Sequence, residues 1–188
     1  MTPSRDELLA FRDVEVPDLV GPDCRLLFVG INPGLWTAAV GAHFARPGNR
    51  FYPALYRAGI VNRLIDASRG MSDEDRDHLY ARGIGITNVV PRATAAASEL
   101  SADELRTGAR RLRDTIAAVA PSVVAIAGIT AYRTGFDRRG AVTGEQPEVW
   151  DGAAVWVVPN PSGLNAHETV DSLATAYAAA ARAAGIIG

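Results

Sequence analysis

Four short apolar runs, separated by stretches with helical spacing, constrain this chain more than any other feature. Residues 25–30 (RLLFVG), 84–90 (IGITNVV), 122–127 (SVVAIA) and 153–158 (AAVWVV) each read as a strand. The runs lack the in–out alternation of a strand with one wet face, so both faces must be covered. Between them, residues 49–58 place Phe51, Leu55 and Tyr56 on one side of a helix. Ser72 followed by Asp73, Glu74 and Asp75 opens another, because acids favour a helix N-terminus, and Gly83 ends it. Ser101 with Glu104 forms a capping box for a long helix reaching Ala120 and stopped by Pro121, and an alanine-rich helix over 167–184 closes the chain. This alternation predicts an α/β fold: a three-layer α/β/α sandwich with a central, mainly parallel four-stranded sheet. No repeat, low-complexity tract or long linker divides it. The expectation is one domain over residues 1–188, large enough for a real core, with residues 1–23 as an N-terminal extension.

In such folds ligands sit beyond the carboxyl ends of the strands. Three unusual segments fall there: INPG after the first run, TNVVPRAT at the second, and NPSGL after the fourth. Composition then narrows the chemistry. All 19 basic residues are arginine, so an imine-forming lyase has no lysine nucleophile, and only the N-terminal amine is left for that role. The single cysteine, Cys24, permits no internal disulfide and no cysteine-based metal site. The three histidines, His43, His78 and His167, lack metal-ligand spacing. No metal, no cofactor and no membrane span are expected, since no apolar run approaches ~20 residues. The N-terminus is acidic and broken by prolines, unlike a secretory signal, and the expected location is cytoplasmic. A net charge of −2 argues against nucleic acid, but its distribution does not. Arg25, Arg46, Arg50, Arg57 and Arg63 occupy 24–65 without an acid, and seven arginines fall in 105–144 against Asp114 and Asp137. That segregation gives either one basic face for phosphates or ordinary solvated helix faces.

The sequence Gly30-Ile31-Asn32-Pro33-Gly34, followed by residues 43–51 (HFARPGNRF), resembles the mismatch-specific uracil and thymine DNA glycosylases of the uracil-DNA glycosylase superfamily. The resemblance continues through residues 87–94 (TNVVPRAT) and 160–164 (NPSGL), covering about 25–180 in order. An isolated Asn-Pro-Gly is a generic turn signal; three blocks in order, each at a strand end, are far more specific. The resemblance implies hydrolysis of an N-glycosidic bond in duplex DNA carrying a mispaired or damaged base, the first step of base excision repair; a monomer is the default expectation. Such a reaction needs a water held near the sugar carbon and stabilisation of charge on the departing base.

By resemblance Asn32 is the catalytic residue, orienting water through its amide oxygen, with Thr94 as a second water contact; the alternative for Asn32 is a turn residue before proline. Asn88 either faces the base as donor and acceptor or caps its strand end. Gly30 and Ile31 bring backbone close to the base. Phe44, in a polar loop, is the stacking platform for an extruded base. His43 bonds the base or a phosphate, or lies in solvent. Trp36 and Thr37 flank the reacting centre, the indole narrowing the pocket or packing beneath the loop. Asn160, Pro161, Ser162, Gly163, Leu164 and Asn165 form the DNA-handling loop, in which Ser162 and backbone amides hold phosphates and Leu164 enters the vacated stack. Some relatives carry an arginine two residues after the wedge; Ala166 stands there here, which puts the grip on an orphan guanine in doubt. Arg50 and Arg92 position loops or phosphates, or form internal salt bridges. The base range among uracil, ethenocytosine, hypoxanthine, hydroxymethyluracil and thymine is left open. Two other classes compete: a catalytically silent DNA-binding member of the fold, and an α/β nucleotide-processing enzyme. The latter is weakened because no phosphate-binding glycine fingerprint follows the first run.

Overall fold

The apolar runs bury both faces by lying in a sheet covered by helices on each side. The computed structural model describes residues 3–188; Met1, whose amine is the chain's only candidate for imine chemistry, lies outside them. Strands β1 (Leu26–Gly30), β2 (Ile84–Asn88), β3 (Val123–Ala127) and β5 (Ala153–Val158) run parallel, and β4 (Gly144–Trp150) lies antiparallel beside β5. The order is β2-β1-β3-β5-β4, five strands rather than the four expected. The additional strand, GEQPEVW, is polar and interrupted by Pro147. A proline has no N–H for a ladder and is tolerated at an edge or bulge. β4 is such an edge, and its register shifts between Glu145 and Val149.

Alternate residues of each central strand feed two cores. Leu26, Phe28, Ile84, Ile86 and Ala125 pack on one face against α3 (Phe51–Arg57), α4 (Asp73–Ala81) and α7 (Val170–Ala183). Leu27, Val29, Val124, Ile126 and Val155 pack on the other against α5 (Ala102–Val119) and α6 (Ile129–Gly135). The architecture is therefore the expected three layers. Ser72 caps α4 by accepting from the Asp75 N–H, and Ser101 and Glu104 form the capping box of α5. The closing helix starts later than its composition suggests, behind a capping box of Thr169 and Ser172, because residues 167 and 168 belong to the preceding loop. Short α1 (Arg5–Leu9) and α2 (Leu35–Val40), like α6, carry no long periodic pattern to announce them.

The segment read as an extension is laid along the outer edge of β2. Leu19 pairs with Ile86 and Glu15 with Arg92, both antiparallel, and Val16 and Leu19 are buried. This strip covers an edge that would otherwise expose unpaired backbone.

Candidate active site

The carboxyl ends of β1, β2, β3 and β5 open into one cleft of ≈ 240 Å³. It lies where the chain reverses direction across the sheet, with β2 on one side of β1 and β3 on the other. Gly30 and Asn88 end their strands in register. Beyond them the two chains remain stitched: the N–H groups of Val89, Val90 and Thr94 donate to the carbonyls of Gly30, Ile31 and Pro33 at 2.9, 3.0 and 3.1 Å. Ala127 closes β3, and Asn160, Ser162 and Leu164 reach over from the loop after β5. The three sequence blocks thus meet in one cavity.

Asn32 is held by its nitrogen. Its Nδ2 donates to Thr94 Oγ1 at 2.8 Å, Arg92 O at 3.0 Å and Pro33 O at 3.2 Å. The Thr94 hydroxyl donates its own proton to Ala96 O at 2.8 Å, so the oxygen meets Asn32 as an acceptor. Only an amide nitrogen satisfies that ring of acceptors, which fixes which way round the side chain sits. Oδ1 has no protein donor among the described residues and is the end of the amide open to the cleft. Thr94 is buried and its proton is committed, so it acts on Asn32 rather than directly on a water.

A second fixed amide stands opposite. His43 is buried, not solvent-exposed; its Nε2 lies 2.9 Å from Pro17 O and its Nδ1 3.2 Å from Asn88 Nδ2. A carbonyl can only accept, so Nε2 carries the proton and Nδ1 accepts from Asn88. Burial lowers the His43 pKa, outweighing the bond to Pro17 and the nearby Asp18 carboxylate, both of which raise it. Asn88 Oδ1 then faces Gly30, where an added Cβ would come within 2.5 Å of it and 3.3 Å of Phe44 Cζ. Glycine at 30 is what lets both side chains close over the strand end. Phe44, half-buried with φ +54°, stacks on Phe51 at 4.1 Å and presents its remaining surface to the cleft.

The loop over residues 160–168 is held from beneath by Arg50. Its Nη2 donates to Ser162 O and Asn165 O, each at 2.7 Å, and its Nη1 to Glu168 O. Within the loop Asn160 Oδ1 accepts from Ser162 N and Asn165 Nδ2 donates to Asn160 O. Pro161 is buried, and its carbonyl accepts from Arg50 N at 2.9 Å. Gly163 lies so near Gly48 that a Cβ would meet Gly48 O at 2.6 Å. Leu164 is left 77% exposed at the mouth of the cleft, an apolar side chain with nothing over it.

The remaining candidates fall on either side. Ile31 and buried Thr37 line the cleft. Trp36 does not; its indole N–H donates to Ser68 O at 2.9 Å as the ring packs under the loop. Arg92 is engaged by Asp13 and Glu104, each at 2.7 Å, and serves the site through its carbonyl. Arg106, Arg113 and Arg138 pair with acids, and exposed Arg46 lines the rim of the cleft. Pro17 and Asp18 escape sequence reading because their contribution is made through a carbonyl and a bond to Thr87, neither of which has a motif. No group of three or more His, Cys, Asp or Glu among the described residues is arranged to hold a metal ion. No helix among them is long and apolar enough to cross a membrane.

A mainly parallel sheet whose strand ends hold a backbone-lined pocket, a fixed amide and an exposed leucine places the chain among α/β proteins with a cleft beyond the strand ends. The chain belongs to the uracil DNA glycosylase superfamily, whose model matches residues 17–181. Its fold is similar to the solution NMR structure of a "putative Uracil DNA glycosylase" from Methanosarcina acetivorans. The TM-score is 0.60 at 16% identity, over 90% of this chain and 96% of that one.

Proposed function

We propose that this protein is a monofunctional glycosylase that hydrolyses the N-glycosidic bond of uracil at mispaired positions in duplex DNA. The observation that carries this reading is the Asn32 amide, pinned by Thr94, Arg92 and Pro33 so that Oδ1 stays free. An amide oxygen is too weak a base to deprotonate water. It can hold one by accepting a hydrogen bond, with the water's lone pair directed at a sugar carbon that has gained positive charge. The leaving base carries the electrons of the broken bond as an anion, the water supplies the oxygen that completes the abasic sugar, and the proton the water sheds on bonding passes through solvent to neutralise the uracil anion. Such a mechanism suits a base whose anion is stable, as uracil's is through its two carbonyls.

The target must leave the stack to reach the cleft, at a cost of a few kcal/mol that is smallest where pairing is already weak. Phe44 offers it a face, Asn88 an amide edge, and Leu164 an apolar side chain to fill the gap it leaves. With no lysine in the chain to form an imine with the sugar, hydrolysis leaves an intact abasic strand as the expected product.

The test is single-turnover release of uracil from a G·U duplex, an A·U duplex, single-stranded U and a G·T duplex. Strand breaks are scored with and without hot alkali. Faster release from G·U than from A·U, with breaks only after alkali, is the expected result. Release of no uracil from any of the four would remove this reading in favour of a silent DNA binder.

A further inference from the structure

The amide of Asn88 cannot choose its own orientation. An asparagine side chain reads a pyrimidine edge in either of two ways, 180° apart, and the two suit different bases. With Oδ1 toward the base and one Nδ2 proton beside it, the amide matches the N3–H donor and O4 acceptor of uracil. Flipped, it matches the N3 lone pair and N4 amino group of cytosine. The neighbour that settles the matter is His43, whose Nδ1 faces Asn88 Nδ2 at 3.2 Å. The neighbour that settles His43 is Pro17, whose carbonyl takes the Nε2 proton at 2.9 Å.

Resting on the glycosylase reading above, we infer that Pro17 and His43 form a relay that locks the Asn88 amide in its uracil-reading orientation. His43 is a positioning residue and touches neither the sugar nor the water. The N-terminal strip along β2 therefore contributes to base selection through one main-chain carbonyl, itself kept in place by the antiparallel pairing of Leu19 with Ile86.

The relay has a proton-linked failure. A second proton on His43 turns Nδ1 into a donor facing a donor, and the contact is restored only if Asn88 flips. Asp18 is the charged group bearing on the ring; its carboxylate also accepts from Thr87 at 2.6 Å, and the Tyr52 hydroxyl meets the backbone carbonyl of His43 rather than the imidazole. Burial holds the ring neutral to below the ordinary histidine range, so the lock holds at neutral pH and weakens on acidification.

Nitrogen-15 spectra of the histidine rings in the DNA-free protein test the first half. A His43 tautomer with the proton on Nε2 at pH 7 is expected; the proton on Nδ1 would overturn the relay. The second half is read as the ratio of uracil to cytosine release from otherwise identical mispaired duplexes between pH 5 and 8. In the wild type the ratio falls with acidification. His43→Phe lowers it at least tenfold and makes it independent of pH. His43→Asn, which keeps an acceptor at the Nδ1 position without a titrating ring, restores a high and pH-independent ratio. An unchanged ratio in His43→Phe would overturn the inference. If His43→Phe does not fold, the tautomer decides alone: a His43 ring carrying its proton on Nδ1 at pH 7 would overturn the inference. Wild-type protein that releases neither base would instead sink the glycosylase reading, leaving the tautomer result to stand separately.

Discussion

Asn32 gains its directionality from Thr94, and that dependence has a measurable size. Removing the hydroxyl in Thr94→Val leaves Asn32 Nδ2 with two carbonyl acceptors of the present three and deprives Ala96 O of a donor. A net intramolecular hydrogen bond is worth about 0.5–1.5 kcal/mol. The variant should bind uracil duplex as the wild type does and cleave it about tenfold more slowly; equal rates in single-turnover assays would remove Thr94 from the site. His43 carries a prediction about stability. Its folded-state pKa is lowered, chiefly by burial, so the unfolded chain takes up a proton more readily. The stabilising contribution of the neutral ring is therefore fully present above the ordinary histidine range and is lost as pH falls through and below it. Denaturant midpoints should drop between pH 7.5 and pH 5 in the wild type and drop less in His43→Asn. Glu104, held down to about 2 by Arg92 and Ser101, titrates below that window and does not confuse the comparison.

At the scale of elements, close approach of backbone to backbone determines how the loops meet. A Cβ on Gly108 of α5 would fall 2.3 Å from Val89 O, just past the end of β2. Gly108→Ala should push α5 off that strand end at about 1–3 kcal/mol, the usual range for overpacking, seen as a lowered denaturant midpoint; an unchanged midpoint would mean the helix yields freely. The parallel strands are legible in sequence because each is a continuous apolar run, and α4 and α5 because Ser72, Ser101 and Glu104 supply their caps. β4 is not legible: its only deeply buried residues are Gln146 and Trp150, and Pro147 argues against a strand wherever edge position is unknown. α6 hides for a related reason, since it is short and is fixed by Tyr132, Phe136 and Trp150 stacking across chain-distant positions. The Gly30–Gly34 block is readable because it is local. The orientation of Asn32 and Asn88 is not, because Thr94, His43 and Pro17 act on them from other elements.

The whole molecule carries a net charge of −2, with many of its arginines committed to ion pairs. DNA binding of such a protein should depend less on bulk electrostatics than on the cleft mouth, where Arg46 and Leu164 stand exposed. Leu164 belongs to this scale because its role appears only when a duplex is present. Leu164→Ala should slow release from A·U duplex by about tenfold or more and leave single-stranded uracil nearly unaffected, as a wedge that offsets lost stacking requires. Equal loss on both substrates would make it a general contact instead.

The central claim is that the Asn32 amide oxygen holds the reacting water. Its most direct test is single-turnover cleavage of a G·U duplex by wild type and Asn32→Ala, with binding to an uncleavable uracil analogue duplex measured alongside. Unaltered binding with a rate at least ~100-fold lower is the predicted outcome. Cleavage by Asn32→Ala at the wild-type rate would contradict it and place the chemistry elsewhere in the cleft.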